Sequence, residues 1–322
     1  MISRRRWLAV TGAVLLGPAS ADAQQAGKVY RLGMLAPSPR AARTEFFFQA
    51  LRELGYVEGQ NLLVEYRHGP FERLPELAAE LIRLKVDVLV SVAPQASRVA
   101  KAATTTIPIA FIASDPVAAG IVGSLARPGG NLTGVSFEAG LEIYGKQVEM
   151  LKQVVPSLSR VIVPPYQTPL QGPLIPQAIP SAGQALGAKV EFLQGRGYAE
   201  IEKAFTALPR LRGDAVLVPP DPFFFTDLKW IVDLVAKRRL PAVYTAREFV
   251  ALGGLMAYGP DLPALYRRLA VYVDKVLKGA NPGDLPIEQP TKFTLAVNLK
   301  TAKALGLTIP PSLVLQADEA IQ

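Results

Sequence analysis

The sequence predicts an α/β protein: two doubly wound parallel-sheet lobes with an interdomain cleft. Short aliphatic or β-branched runs alternate with helical patterns along almost the whole chain. The alternation restarts after about residue 138, and 322 residues suffice for two domains of about 150 residues each. Half of the residues are hydrophobic and only 19% are charged, which is typical of a well-packed globular protein.

The first unit shows five strand patterns separated by helices. The first strand is predicted at residues 29–35, and the helix after it at 44–54, where Phe47, Leu51 and Leu54 share one face. Thr44 is predicted to cap this helix and Gly55 to end it. A helix is predicted to open at Pro75. The remaining strands are predicted at residues 62–66, 87–92, 107–112 and 132–136.

The second unit begins with a long helix predicted at residues 141–155. Six prolines between 164 and 180 predict a loop, with a helix that starts only near Pro180, because proline lacks an amide proton. A helix at 262–277, a linker at 279–290, a strand at 292–298 and a helix at 299–305 are expected to complete the two lobes. The unit's own strands are predicted near 160–163, 189–193, 215–218, 242–244 and 255–258, with helices at 198–208 and 226–238.

The first 27 residues predict an export signal. Three arginines at 4–6 precede an apolar run that ends at Leu16, and Ala21-Asp22-Ala23 offers a small-x-small site for cleavage after Ala23. The stretch SRRRWL also resembles a twin-arginine export address. A buried N-terminal helix is disfavoured by the arginines, and the run is shorter than the roughly 20 apolar residues that span a bilayer.

Each lobe is predicted to consist of two separate segments of the remaining chain. Residues 28–138 plus 260–288 are assigned to the N-terminal lobe, and residues 139–259 plus 289–322 to the C-terminal lobe. Because ligands of open α/β sheets bind outside the carboxyl ends of the strands, the residues that follow each strand are expected to face the cleft.

Composition excludes several classes of protein. Cysteine is absent, so the chain has no disulfide, no thiolate metal site, no cysteine nucleophile and no lipid-modified cysteine. His68 is the single histidine, and no Walker loop, GxSxG elbow or HExxH motif occurs. The net charge of +8 is spread along the chain, which favours a basic surface over nucleic-acid binding. We therefore expect no cofactor, no metal site and no catalytic residue.

Two features at the strand ends leave alternatives open. The Asp-Pro pairs at 115–116 and 221–222 lead into helices, where they are either ordinary capping residues or part of a ligand site. Aromatic residues concentrate in the second unit's loops, including the run Phe223-Phe224-Phe225, and they serve either the core or the wall of a site.

Several motifs are shared with a known family. They are LRELGYVEGQN at 51–61, Asp115-Pro116, LARPGGNLTG at 125–134, REF at 247–249, GGLMAYG at 253–259 and QPTKF at 289–293. With these motifs the chain resembles the type I periplasmic-binding-protein-like substrate-binding proteins of bacterial ABC transporters, in particular the tryptophan-type branch. The resemblance covers nearly all of the chain after the export signal. The proline-rich stretch at 164–180 departs from it.

The resemblance implies two hinged lobes that close over one small solute. Carried over by position, the residues expected to bind that solute are Ser38, Ala93, Pro94, Gln95, Ser114 and Asp115 in the first lobe, and Tyr166, Asp221, Phe223, Tyr244 and Glu248 in the second. For an amino-acid ligand, helix-start N–H groups and Ser114 would hold the carboxylate. Asp221 or Glu248 would accept the ammonium, and the Phe223/Tyr244 surface would pack the side chain.

The sequence thus predicts an extracytoplasmic solute-binding protein that delivers its ligand, such as an amino acid or related metabolite, to an ABC transporter. Its expected partners are the small-molecule ligand and the permease subunits in the inner membrane. We expect a periplasmic monomer that has no lipid anchor and binds no nucleic acid. The alternatives are an exported hydrolase that uses Asp115 and Asp221, and a ligand-sensing module for a receptor.

Overall fold

The computed structural model describes residues 28–40, 43–137, 140, 142–165, 174–208 and 214–322. The predicted export signal and Tyr166 lie outside these residues. Within them the chain forms one sheet of five strands and one of seven. None of the helices described has the length and apolar character needed to cross a membrane.

The first sheet is parallel, and its strands lie in the order β2 (Leu62–His68), β1 (Tyr30–Ala36), β3 (Val88–Val92), β4 (Ile109–Ala113) and β5 (Leu132–Ser136). Every residue of its fourth strand is buried, as expected for a strand covered on both faces. Gly134 in the fifth strand is required, because a Cβ there would lie 2.0 Å from the carbonyl oxygen of Phe111. The elements are β1 (Tyr30–Ala36), α1 (Thr44–Glu53), β2 (Leu62–His68), α2 (Leu74–Arg83), β3 (Val88–Val92), α3 (Pro94–Ala103), β4 (Ile109–Ala113) and β5 (Leu132–Ser136).

The strands of the second sheet lie in the order β12 (Glu319–Ile321), β11 (Phe293–Asn298), β10 (Met256–Pro260), β9 (Ala242–Tyr244), β8 (Asp214–Leu217), β6 (Arg160–Val163) and β7 (Lys189–Phe192). Its pairs are parallel except β10 with β11, which run antiparallel. Its elements begin with α4 (Glu142–Val154), β6 (Arg160–Val163), α5 (Leu174–Ala185), β7 (Lys189–Phe192), α6 (Gly197–Ala207), β8 (Asp214–Leu217), α7 (Pro222–Thr226), α8 (Leu228–Lys237), β9 (Ala242–Tyr244), α9 (Arg247–Ala251) and β10 (Met256–Pro260). The chain ends with α10 (Leu262–Leu277), β11 (Phe293–Asn298), α11 (Leu299–Leu305), α12 (Pro311–Gln316) and β12 (Glu319–Ile321).

Helix α10 returns from the second sheet to the first. Its buried residues Leu265, Leu269 and Val273 share one hydrophobic cluster with Phe47 and Leu51 of α1. Residues 285–288 then run beside β5, and β11 rejoins the second sheet. The chain therefore crosses between the sheets after β5, at Asp261 and at 289–292.

Four details differ from the sequence-based expectations. Helix α5 begins at Leu174 rather than near Pro180, because Ile175, Ala178 and Ile179 become buried against the second sheet. Thr44 is the first residue of α1 rather than its cap, and Arg43 precedes it without a side-chain cap. The second sheet contains β12 as well, preceded by α12, and residues 222–226 form a separate short helix, α7.

Candidate functional site

A cavity of about 80 Å³ lies between the two lobes, and we call it the interlobe cavity. Its walls are mostly apolar, with aromatic rings and prolines on both sides. The first lobe contributes Pro37, Ser38, Arg43, Val92, Ala93, Ile112, Phe137, Leu262 and Tyr266, and the second contributes Ile143, Tyr144, Gln147, Pro220, Asp221, Pro222, Phe225, Thr245 and Pro260. A cavity needs only ~10–15 Å³ to hold one water molecule, so this cavity has room for several atoms of a solute.

Two buried oxygens in the cavity lining have no hydrogen-bond partner in the part of the chain that the structure describes: Gln147 Oε1 and Thr245 Oγ1. The amide of Gln147 is oriented by its nitrogen, since Nε2 donates to the carbonyl oxygen of Tyr258 at 2.7 Å. That bond leaves Oε1 as a pure acceptor. Buried polar atoms are nearly always hydrogen-bonded, so unpartnered ones at a cavity wall indicate the place of a ligand.

Thr245 reaches the cavity because it directly follows β9. Its carbonyl oxygen lies so close to β10 that a Cβ on Gly259 would meet it at 1.8 Å. Glycine is therefore required at 259, within the GGLMAYG motif, for β10 to pass this point. The same glycine fixes the backbone that carries the unpartnered hydroxyl.

Asp221 supplies a buried carboxylate to the cavity. Asp221 is fully buried and lies immediately before α7. Its Oδ1 accepts a hydrogen bond from the backbone N–H of Phe223 at 2.8 Å. Asp221 therefore caps α7 and also lines the cavity. A buried anion at a cavity wall favours a ligand that carries a positive group.

Arg43 brings a guanidinium to the seam between the lobes. Its Nε donates to the hydroxyl of Tyr266 at 3.3 Å, and its Cζ lies 4.7 Å from the ring centroid of Phe225 on α7. Tyr66 lies nearby, and its hydroxyl donates to the carbonyl oxygen of Ser38 at 3.0 Å. Burial, followed by the proximity of Tyr266, raises the pKa of Tyr66 to about 12, so this hydroxyl remains a donor at neutral pH.

Among the residues expected from the sequence, Ser38, Ala93 and Asp221 line the cavity. The other first-lobe candidates, Pro94, Gln95, Ser114 and Asp115, are not part of this lining. Ser114 Oγ and Gln95 Oε1 are buried and unpartnered among the described residues, but neither side chain belongs to the cavity wall. Asp115 accepts a hydrogen bond from the N–H of Ala118 at 3.0 Å and so stabilises its own turn.

The second-lobe aromatic candidates face other surroundings. Phe223 packs against Tyr198 and Trp230, with ring centroids 4.9 and 5.8 Å away. Tyr244 stacks on Phe249 at 5.0 Å, and complete burial raises its pKa. Successive strand residues point to opposite faces of a sheet, so Tyr244 enters the helix-covered core while Thr245 reaches the cavity. Glu248, on α9, is also outside the cavity wall.

The sequence analysis did not predict several of the residues that line the cavity. One of them, Gln147, lies in a sequence pattern that could have identified it. Gln147 lies four residues from Ile143 and from Leu151, on the buried stripe of α4. An uncharged amide in an apolar stripe is unusual, and this could have marked it. Arg43 precedes α1 without a distinguishing pattern. Phe225 belongs to the aromatic run, but the sequence could not tell which ring faces the cavity.

The described residues contain no group of three or more side chains suited to hold a metal ion. Of Asp115 and Asp221, which a hydrolase would need to pair, only Asp221 lines the cavity. The arrangement combines one buried carboxylate, one guanidinium, unpartnered oxygens and apolar walls. These groups can hold a small polar-headed solute.

The model of one protein family, described as ABC transporter substrate binding protein, matches residues 37–321. The chain belongs to this family. The family consists of solute-binding proteins rather than enzymes, and its members work outside the cytoplasm. The family membership and the two-lobed α/β fold predicted from the sequence are thereby confirmed.

This substrate-binding protein is similar to the "Tyrosine-binding protein" of Clostridioides difficile strain R20291, with 24% identity over 273 residues, which is 81% of this chain and 75% of that protein. Two solved structures each cover 91% of this chain and 100% of their own, at 24% identity. A conserved domain protein from Vibrio cholerae has a TM-score of 0.83. An ABC domain in complex with L-Trp from Streptococcus pneumoniae has a TM-score of 0.81. At this identity the solved structures show a shared fold.

Proposed function

We propose that this substrate-binding protein captures one amino acid between its lobes and delivers it to the permease subunits of an ABC transporter. The observation that carries the proposal is the pair of buried, unpartnered oxygens, Gln147 Oε1 and Thr245 Oγ1, at the wall of the interlobe cavity. Ligand contacts to both lobes would favour the closed arrangement over the open one. The predicted periplasmic location, monomeric state and hinge closure belong to the same proposal.

The chemistry of the cavity favours an amino acid. An ammonium group would donate to the buried carboxylate of Asp221 and to Gln147 Oε1, which accepts only. An apolar side chain would pack against the rings and prolines of the walls. The names of the relatives agree with this class, since one is a tyrosine-binding protein and another was solved with L-Trp.

A binding screen with the twenty L-amino acids tests the ligand class. A ligand that binds the native state raises the melting temperature, so at least one amino acid should do so. Mass spectrometry of the released ligand should recover it unchanged, whereas a new mass would favour the hydrolase alternative. Genes for a permease and an ATPase next to this one would support the transporter over the sensing module.

Calorimetry on Asp221→Asn tests the assignment of the ammonium partner. Asparagine keeps the hydrogen bond to Phe223 N–H but removes the charge, so the fold should persist. Removing one partner of a buried charge pair costs about 2–5 kcal/mol, so affinity should fall at least about 30-fold. Asp227→Asn is the matched control, because Asp227 caps α8 through Trp230 N–H and lies outside the cavity wall. Equal affinities of Asp221→Asn and wild type would refute the assignment.

A further inference from the structure

Among the described residues that line the interlobe cavity, Arg43 is the single basic one. It lies in the first lobe, immediately before α1, and its side chain crosses to the second lobe. A half-buried guanidinium that forms no ion pair with the described residues loses hydration without full compensation. We therefore asked what anionic group would satisfy it.

The guanidinium is held by two contacts that leave its outer edge open. Nε donates to Tyr266 OH, and Cζ lies over the ring of Phe225, 4.7 Å from its centroid. Within the part of the chain that the structure describes, neither terminal nitrogen of Arg43 donates a hydrogen bond, and no carboxylate pairs with it. Both terminal nitrogens thus remain available to an incoming group.

We propose that Arg43 is a specificity-determining residue that binds the carboxylate of the amino acid. This inference rests on the proposed function and names one more of its contacts. A guanidinium presents parallel N–H groups along its edge that match the two oxygens of a carboxylate, while its face can stack on an aromatic ring at the same time. The Phe225 contact and the ligand contact therefore do not compete.

The charges of the cavity then select for a zwitterion. Arg43 lies on the first lobe and Asp221 on the second, so the carboxylate and the ammonium of the ligand are drawn to opposite walls. An amine without a carboxylate would leave Arg43 without an ion-pair partner, and an acid without an ammonium would place no positive group against the Asp221 carboxylate. Because Arg43 also stacks on Phe225, carboxylate binding would fix the same side chain that joins the lobes.

The test compares each of the twenty L-amino acids with its methyl ester by calorimetry. For wild type, the tightest-binding amino acid should bind at least about tenfold better than its ester, as expected for loss of a charged hydrogen-bonded pair. In Arg43→Gln, affinity for the free acid should fall at least about tenfold, and the preference over the ester should shrink to about twofold or less. An unchanged preference in Arg43→Gln would overturn the proposal.

Arg40→Gln is the matched control. Arg40 lies three residues earlier, pairs with Glu45 and Glu58, and covers the ring of Phe48 rather than the cavity. It should keep the wild-type preference for acid over ester.

A second variant, Phe225→Leu, removes the stacking partner but not the guanidinium. Phe225→Leu should lower the affinities for the free acid and for the ester by the same factor. A loss of affinity for the acid alone would contradict the proposal that the guanidinium contacts Phe225 and the ligand independently.

The two proposals fail in different ways. If wild type binds none of the amino acids, the proposed function fails and this inference fails with it. If wild type binds an amino acid and Asp221→Asn weakens it, but Arg43→Gln binds acid and ester as wild type does, then only the role of Arg43 is wrong. Melting curves of each variant without ligand separate these outcomes from loss of folding.

Discussion

The side chain of Thr245 carries a hydroxyl that no other described residue uses. An unsatisfied buried polar group costs about 1–3 kcal/mol of folding free energy. Proteins retain such a cost where it serves binding, because a site that is already desolvated and oriented binds its ligand more tightly. Gln147 shows the same feature at Oε1, although its Nε2 donates a hydrogen bond to the carbonyl oxygen of Tyr258.

The variant Thr245→Val should separate stability from binding. Valine has nearly the same shape and removes the unpartnered oxygen, so the melting temperature without ligand should stay equal or rise by a few degrees, at about 2–4 °C per kcal/mol for a domain of this size. Affinity for the amino acid should fall. Thr133→Val is the control, because Thr133 Oγ1 donates to Leu285 O at 3.0 Å, and its loss should lower the melting temperature. A comparable drop in Thr245→Val would show that its hydroxyl is structural.

At the scale of single residues, the rule that ligands bind beyond the strand ends identified Ser38, Ala93 and Asp221. It failed between neighbours such as Tyr244 and Thr245, where a shift of one residue exchanges core for cavity. From the sequence alone, two consecutive residues are known to point in opposite directions. Which of the two points into the cavity depends on how the first lobe packs against the second.

At the scale of elements, α5 contains a proline in its interior. Pro180 is the seventh residue of α5, and a residue with an amide proton there would donate to the carbonyl of Pro176. The helix forms nevertheless, because its apolar face, with Ile175 and Ile179, becomes buried against the second sheet. Tertiary burial here outweighs a local propensity that would end the helix.

The variant Pro180→Ala should therefore stabilise the protein. It restores one backbone hydrogen bond and removes the clash of the ring with the preceding turn, so the free energy of unfolding should rise by about 1–3 kcal/mol. Pro176→Ala makes the same substitution in the first turn of α5, where the N–H has no partner within the helix, and should be close to neutral. Thermal melting of both variants is the measurement. Equal effects would mean that Pro180 does not strain the helix.

At the scale of the whole molecule, ion pairs secure the segments that run between the lobes. Asp261, at one crossing, caps α10 through Ala264 N–H, and its carboxylate pairs with Lys292, at another crossing, at 2.9 Å. Burial alone would raise the pKa of Asp261, but the bonds from Lys292 and Ala264 hold it below its usual value. Arg268 on α10 similarly donates to both oxygens of Glu288, which runs beside β5.

The Arg268–Glu288 pair predicts a dependence of stability on pH. The hydrogen bonds from Arg268, and secondarily its charge, lower the pKa of Glu288 below its usual 4.5. A carboxyl whose pKa is lower in the folded state stabilises the fold above its unfolded pKa, and this contribution is lost as pH falls through the folded value. The difference in melting temperature between wild type and Glu288→Gln should be constant from neutral pH to about 5.5 and shrink below about 4.5.

A matched control for this series is Glu53→Gln. Glu53 pairs with Arg267 on the same helix, α10, but its side chain is 55% exposed. Exposed ion pairs contribute about 0–1 kcal/mol, so this variant should differ little from wild type at neutral pH. Should the wild-type advantage over Glu288→Gln persist undiminished at pH 3, the pair does not stabilise the fold through its charge.

The sequence by itself determined the order and type of most strands and helices, since hydrophobic periodicity and turn residues act within a few neighbouring positions. It also determined the family, through motifs whose glycines, such as Gly134 and Gly259, are required by close backbone approach. Only the tertiary structure decided which side chains form the site. Arg43 meets Tyr266 across 223 positions of sequence, and such contacts depend on how the chain returns between the lobes rather than on any local pattern.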